Sequence, residues 1–238
     1  MHSKNQLEWA LLDNEKRDLL LILPGGGYFF TSKREGMPIA KKAHEIGCHT
    51  AIFWYREEKL GYPAIKEEGI SVIEEIKKHP KVNRLFIIGF SAGGHYALML
   101  SIACSDLIDK TILAYPVVST NKAFYHGGSF INLLGNLEDK ELLHELSLEH
   151  HVHSKMKDVF IFHTADDQSV PVQNALILAE KLSEQKVPIE LHIYPKGRHG
   201  ASLGTKEVSF EDMDPELFEK EFKDISGWFS LAQAFMKR

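Results

Sequence analysis

Arg84-Leu85-Phe86-Ile87-Ile88-Gly89-Phe90-Ser91-Ala92-Gly93-Gly94-His95 is the stretch on which the reading of this chain turns. Arg84 to Ile88 is a short run of branched and aromatic side chains, the composition of a strand buried on both faces. Ala92 to Cys104 is an apolar run with helical periodicity. Between them stands G-x-S-x-G. A serine on so sharp a strand-to-helix turn is held in a strained backbone conformation, and side chains two positions either side would clash, so glycines are required there. The helix opening at Ala92 turns its unpaired N–H groups and its positive dipole end toward the serine. Ser91 is the predicted nucleophile.

Working outward, similar strands are predicted at Asp18 to Leu23, Thr50 to Tyr55, Thr111 to Tyr115, Val159 to His163 and Ile189 to Tyr194. Helical periodicity marks Pro38 to Ile46, Ile65 to Lys78 and Val172 to Lys186, and a last amphipathic helix is expected from about Pro215 to Met236. Strand and helix alternate, which predicts an α/β fold: a mostly parallel central sheet with helices on both faces. Leu7 to Leu12 and Asp18 to Leu23 flank the polar Asp13-Asn14-Glu15-Lys16, which reads as a hairpin forming an antiparallel edge. The alternation fails from Val117 to Met156, where there is no convincing strand, an apolar patch at Phe130 to Leu134 and a predicted helix at Leu137 to Leu146. An excursion of that length is expected to form a cap-like insertion of a single domain spanning residues 1–238.

Serine is too weak a nucleophile at neutral pH without a base to take its proton and an acid to orient that base. In a fold of this type the acid and then the base follow the serine, on loops after successive strands. After Val159 to His163 comes Thr164-Ala165-Asp166-Asp167-Gln168-Ser169-Val170-Pro171. The D-x-x-V-P spacing selects Asp167, with Asp166 as the alternative acid or a turn carboxylate. After Ile189 to Tyr194, the loop Pro195-Lys196-Gly197-Arg198-His199-Gly200 offers His199, between two glycines, as the base. An oxyanion hole is also needed. Gly25-Gly26-Gly27 after an earlier strand lets backbone amides approach the substrate, with Gly26 preferred and Gly27 next, joined by the amide of Ala92.

Other features carry weaker readings. Tyr28, Phe29 and Phe30 beside the glycines are candidates to line the substrate pocket or to pack beneath the cap, and Tyr28 is the predicted substrate contact. Arg56 and Glu35 are candidates to pair and brace the oxyanion loop. His150-His151-Val152-His153 lacks the carboxylate or cysteine spacing of a metal site, and the chemistry needs no ion, so neither metal nor cofactor is expected.

Composition bounds the class. Hydrophobic residues at 44% and charged residues at 26% suit a globular domain, and a formal charge of -5 with no basic run argues against nucleic acid as a partner. No apolar stretch reaches the roughly 20 residues of a bilayer span, and the N-terminus has no apolar signal segment, so a cytoplasmic protein without a membrane partner is expected. Cys48 and Cys104 are too far apart in sequence to suggest a redox pair and read as reduced packing residues. Oligomeric state is left open, a homodimer being compatible with the sequence.

Together, Pro24-Gly25-Gly26-Gly27-Tyr28, Gly89 to His95, Asp167-Gln168-Ser169-Val170-Pro171 and Gly197-Arg198-His199-Gly200 resemble the α/β-hydrolase superfamily, and within it the small bacterial esterases related to acetyl xylan esterases and the feruloyl-esterase-like group. The resemblance spans about Leu19 to Leu203 and extends to Arg34-Glu35 and Tyr55-Arg56. It implies an α/β-hydrolase fold and a serine esterase removing acetyl or other small acyl groups from sugars or simple alcohols, with a small-molecule ester as partner. An amidase or peptidase, an arylformamidase, or a non-catalytic binding protein on the same fold are the alternatives compatible with these residues.

Overall fold

The computed structural model describes residues 4–238. Its sheet has seven strands: β1 (Gln6–Ala10), β2 (Arg17–Leu23), β3 (His49–Trp54), β4 (Val82–Phe90), β5 (Lys110–Ala114), β6 (Val159–Thr164) and β7 (Ile189–Tyr194). They lie in the order β1-β3-β2-β4-β5-β6-β7, all parallel except β1, which runs antiparallel to β3. The helices are α1 (Met37–His44), α2 (Ala64–Lys78), α3 (Ala92–Ala103), α4 (Gly127–Leu134), α5 (Lys140–Glu145), α6 (Gln173–Glu184), α7 (Pro215–Glu221) and α8 (Trp228–Lys237).

The central strands are apolar on both faces because both are covered. Leu19, Leu21 and Leu23 of β2 point into one core with α2, α3 and α6, while Leu20 and Ile22 point into a second core with α1, α7 and α8. Each such side chain, wholly removed from water, contributes on the order of 1.5–3 kcal/mol before entropy is charged against it. Among the described residues no helix is long and apolar enough to cross a membrane.

From β2 the chain crosses to β3 on one side and returns to β4 on the other, so β2 and β4 are neighbours at the point where the strand order reverses. The register sets Leu23 opposite Gly89. The loops leaving the carboxyl ends of these two strands therefore emerge side by side, the place where open α/β sheets bind ligands.

The structure differs from the sequence reading at three elements. The segment before β2 does form an antiparallel edge, but not as a hairpin: β1 pairs with β3, because β2 already has β3 and β4 on its two sides. The link is steered there by the His49 side chain, whose Nδ1 accepts from the Leu12 amide and whose Nε2 donates to the Glu15 carbonyl. The C-terminal helix is two helices, broken at residues 222–227. The break lets the Trp228 indole lie flat on Phe162, with ring centroids 4.5 Å apart, and donate to the Ser202 carbonyl. Within residues 117–156 no strand forms; the apolar patch is part of α4, and the second helix is shorter than expected, confined to α5.

Candidate active site

Ser91 has φ 53° and ψ −119°, a conformation side chains rarely adopt, and it is held there from both sides. Its amide donates to the Ala114 carbonyl, and its carbonyl accepts from the amides of His95 and Val117. The flanking glycines are steric requirements. A Cβ on Gly89 would sit 2.1 Å from the Gly93 carbonyl oxygen, and one on Gly93 would sit 2.2 Å from that of Leu23.

The three side chains picked from sequence meet. Ser91 Oγ lies 2.8 Å from His199 Nε2, and His199 Nδ1 lies 2.6 Å from Asp167 Oδ2. Because a carboxylate can only accept, Nδ1 carries the proton and Nε2 is left to accept from the serine hydroxyl. The other oxygen, Oδ1, accepts the amides of Ser169 at 2.8 Å and Val170 at 2.9 Å, which explains the D-x-x-V spacing. Burial raises the carboxyl of Asp167, but the bond and charge of His199 and these two amides outweigh it, so the group is held below the usual range. Asp166 is not in contact with His199; its Oδ1 accepts the Gly197 amide at 2.8 Å, tying down the loop that carries the imidazole.

The glycine loop turns through left-handed conformations at Gly26 (φ 135°), Gly27 (φ 62°) and Tyr28 (φ 57°). The Gly25 amide is committed to Glu35 Oε2 at 2.7 Å. The amides of Gly26, Gly27 and Ala92 donate to no acceptor among the described residues, so they are free for a substrate oxygen. Gly26, Gly27, Ser91 and His199 border one cavity of about 240 Å³.

Tyr28 is not a wall of that cavity, contrary to expectation. Its side chain is fully buried and its hydroxyl donates to His95 Nδ1 at 2.8 Å, while His95 Nε2 donates to the Leu146 carbonyl at 2.9 Å. Tyr28 and His95 thus pin the glycine loop, α3 and the segment 117–156 together from beneath. Total burial lowers the imidazole of His95 to about 4, so it stays neutral. Phe30, not Tyr28, reaches the cavity.

The expected Arg56–Glu35 pair does not form. Glu35 does brace the glycine loop, but its partners are the Gly25 amide and the Tyr115 hydroxyl, the latter 2.5 Å from Oε1. Arg56 Nη1 donates to the Leu60 carbonyl instead. Burial pushes the Glu35 carboxyl up, against the pull of Tyr115 and Gly25. Tyr115, whose ring packs edge-on against His199 with centroids 5.1 Å apart, was invisible in sequence because it reads as the last residue of a buried strand. His126, also unmarked in sequence, brings an imidazole from the insertion to the cavity. Of the histidine run, His150 stacks on His144 and His153 Nε2 donates to the Ile102 carbonyl.

The sequence model of the prolyl oligopeptidase family matches residues 66–224, which include Ser91, Asp167 and His199. Endo-1,4-beta-xylanase B of Butyrivibrio fibrisolvens is 33% identical over 218 residues, covering 82% of this chain and 34% of that protein. The acetylxylan esterase of Xylanibacter ruminicola is 28% identical over 214 residues, covering 85% of this chain and 45% of that protein. The chain thus spans less than half the length of either curated relative. The crystal structure of an acetyl ester-xyloside bifunctional hydrolase from Caldicellulosiruptor lactoaceticus superposes with a TM-score of 0.77 at 32% identity, covering 93% of this chain and 88% of that one. The strand order, the serine turn and the family match over residues 66–224 lead to one conclusion: this chain is an α/β-hydrolase belonging to the prolyl oligopeptidase family.

Proposed function

We propose that this protein is a serine carboxylesterase that removes short acyl groups, acetyl above all, from sugar hydroxyls such as those of xylo-oligosaccharides. The observation that carries the reading is the unbroken run of contacts from Asp167 through His199 to Ser91, ending at a cavity bordered by unpaired amides. Ser91 Oγ attacks the ester carbonyl as its proton passes to His199 Nε2. The amides of Gly26 and Ala92, with Gly27 adjacent, stabilise the oxyanion, and Asp167 stabilises the imidazolium. His199 then returns the proton to the departing alcohol, and a water activated by the same nitrogen hydrolyses the acyl-enzyme.

A cavity of about 240 Å³ suits a small acyl group and a sugar edge better than a long chain. The names of the xylan-related relatives point to the same substrate class. The reading includes a cytoplasmic location, supported by two buried, unpaired cysteines. The family description favours a second reading, peptide or amide hydrolysis by the same three side chains.

Both are tested by kcat/KM on p-nitrophenyl esters from acetyl to octanoyl, on acetylated xylo-oligosaccharides and on matched acetyl amides and prolyl peptides. The esterase reading expects acetyl esters to be the best substrates. Faster cleavage of the amide or peptide would replace it, and activity peaking at octanoyl would remove the small-acyl assignment.

A further inference from the structure

His126 is the one residue that the insertion, residues 117–156, contributes to the cavity wall among the described residues, and the proton transfers at Ser91 make no use of it. Its hydrogen bonds identify the tautomer. Nδ1 lies 3.3 Å from the amide of Ser129, which can only donate, and 2.8 Å from the Ser129 hydroxyl. Nδ1 is therefore the acceptor, capping the first turn of α4, and the ring proton sits on Nε2. Nε2–H donates to nothing among the described residues. The ring stands beside the glycine loop, with Cε1 3.9 Å from where a Cβ on Gly27 would lie. Burial, reinforced by the charge of His199, lowers this imidazole, so it is a neutral donor, not a cation.

The chemistry of an acyl ester narrows what such a donor can meet. An acetyl group offers only a methyl and the carbonyl oxygen, and the latter is taken by the amides of the glycine loop and Ala92. The bridging ester oxygen is met by His199, which protonates it as the alcohol departs, so a further N–H in the wall finds its acceptor in a hydroxyl or a ring oxygen of the alcohol. An alcohol lacking such an oxygen leaves the half-buried donor without a partner on the substrate, which is how a polar site disfavours an apolar analogue.

We propose that His126 is the residue through which the insertion selects the alcohol, its Nε2–H donating to a hydroxyl or ring oxygen of a sugar ester. The proposal rests on the esterase reading of Ser91. His126→Asn separates recognition from structure, because asparagine can still cap the Ser129 amide yet has no donor at the Nε2 position. The measurement is kcat/KM for a monoacetylated methyl β-xyloside divided by that for p-nitrophenyl acetate, with thermal unfolding as the check on folding. The expected result is a fall of about tenfold in that ratio, carried mainly by KM for the glycoside. His126→Ser, which also caps, replaces the asparagine variant if that one does not fold. Equal losses on both substrates, or an unchanged ratio, overturn the proposal. So does a wild-type protein that hydrolyses p-nitrophenyl acetate but not the glycoside, an outcome that leaves the esterase reading intact; wild-type inactivity on both removes that reading and this one with it.

Discussion

The Tyr115 hydroxyl donates to Oε1 of Glu35 across 2.5 Å, joining the residue after β5 to the end of the glycine loop. The same carboxylate accepts the Gly25 amide, and the same phenol accepts the Ser202 amide at 3.1 Å. Three loops that carry or border the candidate catalytic groups are thereby tied at one buried point, with the Tyr115 ring against His199.

Glu35→Gln keeps the volume but leaves one acceptor oxygen where two donors converge. One of the Gly25 and Tyr115 bonds is lost at a side chain that is almost wholly buried, at a cost of about 1–3 kcal/mol. The expected outcome is a lower melting temperature and a kcat on p-nitrophenyl acetate reduced roughly tenfold. An unaltered kcat alongside a lower melting temperature would assign Glu35 to stability alone.

His95 predicts a pH dependence of stability. Its folded pKa, about 4, lies below the ordinary value of 6.5, so between these two values the unfolded chain binds the extra proton. Stability is then lost as pH falls from 6.5 toward 4, by roughly 3 kcal/mol from this group. Urea unfolding at pH 7, 5 and 4 measures it, and His95→Gln should flatten the slope in that window. A variant with the wild-type slope would contradict the assignment.

The paired carboxylates should separate cleanly. Asp167→Asn removes the acceptor that sets the His199 tautomer and is expected to lower kcat by about 10⁴, whereas Asp166→Asn loosens only the Gly197 bond and should cost less than about tenfold. Equal effects from the two would mean that Asp167 has no privileged role.

Gly93→Ala is expected to fail structurally rather than chemically. Its Cβ would lie 2.2 Å from the Leu23 carbonyl oxygen and 2.4 Å from that of Pro24, both backbone atoms of a buried strand end. The serine turn and β2 must separate, and a loss of more than about 3 kcal/mol follows. Denaturant titration of the variant would show a wild-type midpoint if the contact were relieved cheaply.

Much of this site was legible in the chain because its logic is local. Gly89 and Gly93 flank Ser91 for steric reasons that operate within one turn, and Asp167 accepts amides two and three residues on. The alternating strands and helices follow from apolar runs of the right period. What failed were statements about partners distant in sequence. Tyr28 looked like a pocket residue and is buried on His95; Glu35 looked like the partner of Arg56 and binds Tyr115. The tail carried one apolar stripe, yet it breaks over residues 222–227 to seat Trp228 on Phe162.

From the sequence alone came the strand-to-helix turn, the choice of Ser91, Asp167 and His199 as side chains that meet, and the parallel sheet that carries them, since each is written in the spacing of neighbouring residues. The tertiary structure alone decided that β1 pairs with β3, that Glu35 and Tyr115 clamp the glycine loop, and that His126 reaches the cavity. The reason is physical: a local conformation depends on the few residues that adopt it, whereas a long-range partner is chosen by which surfaces remain uncovered once the sheet and its helices have packed.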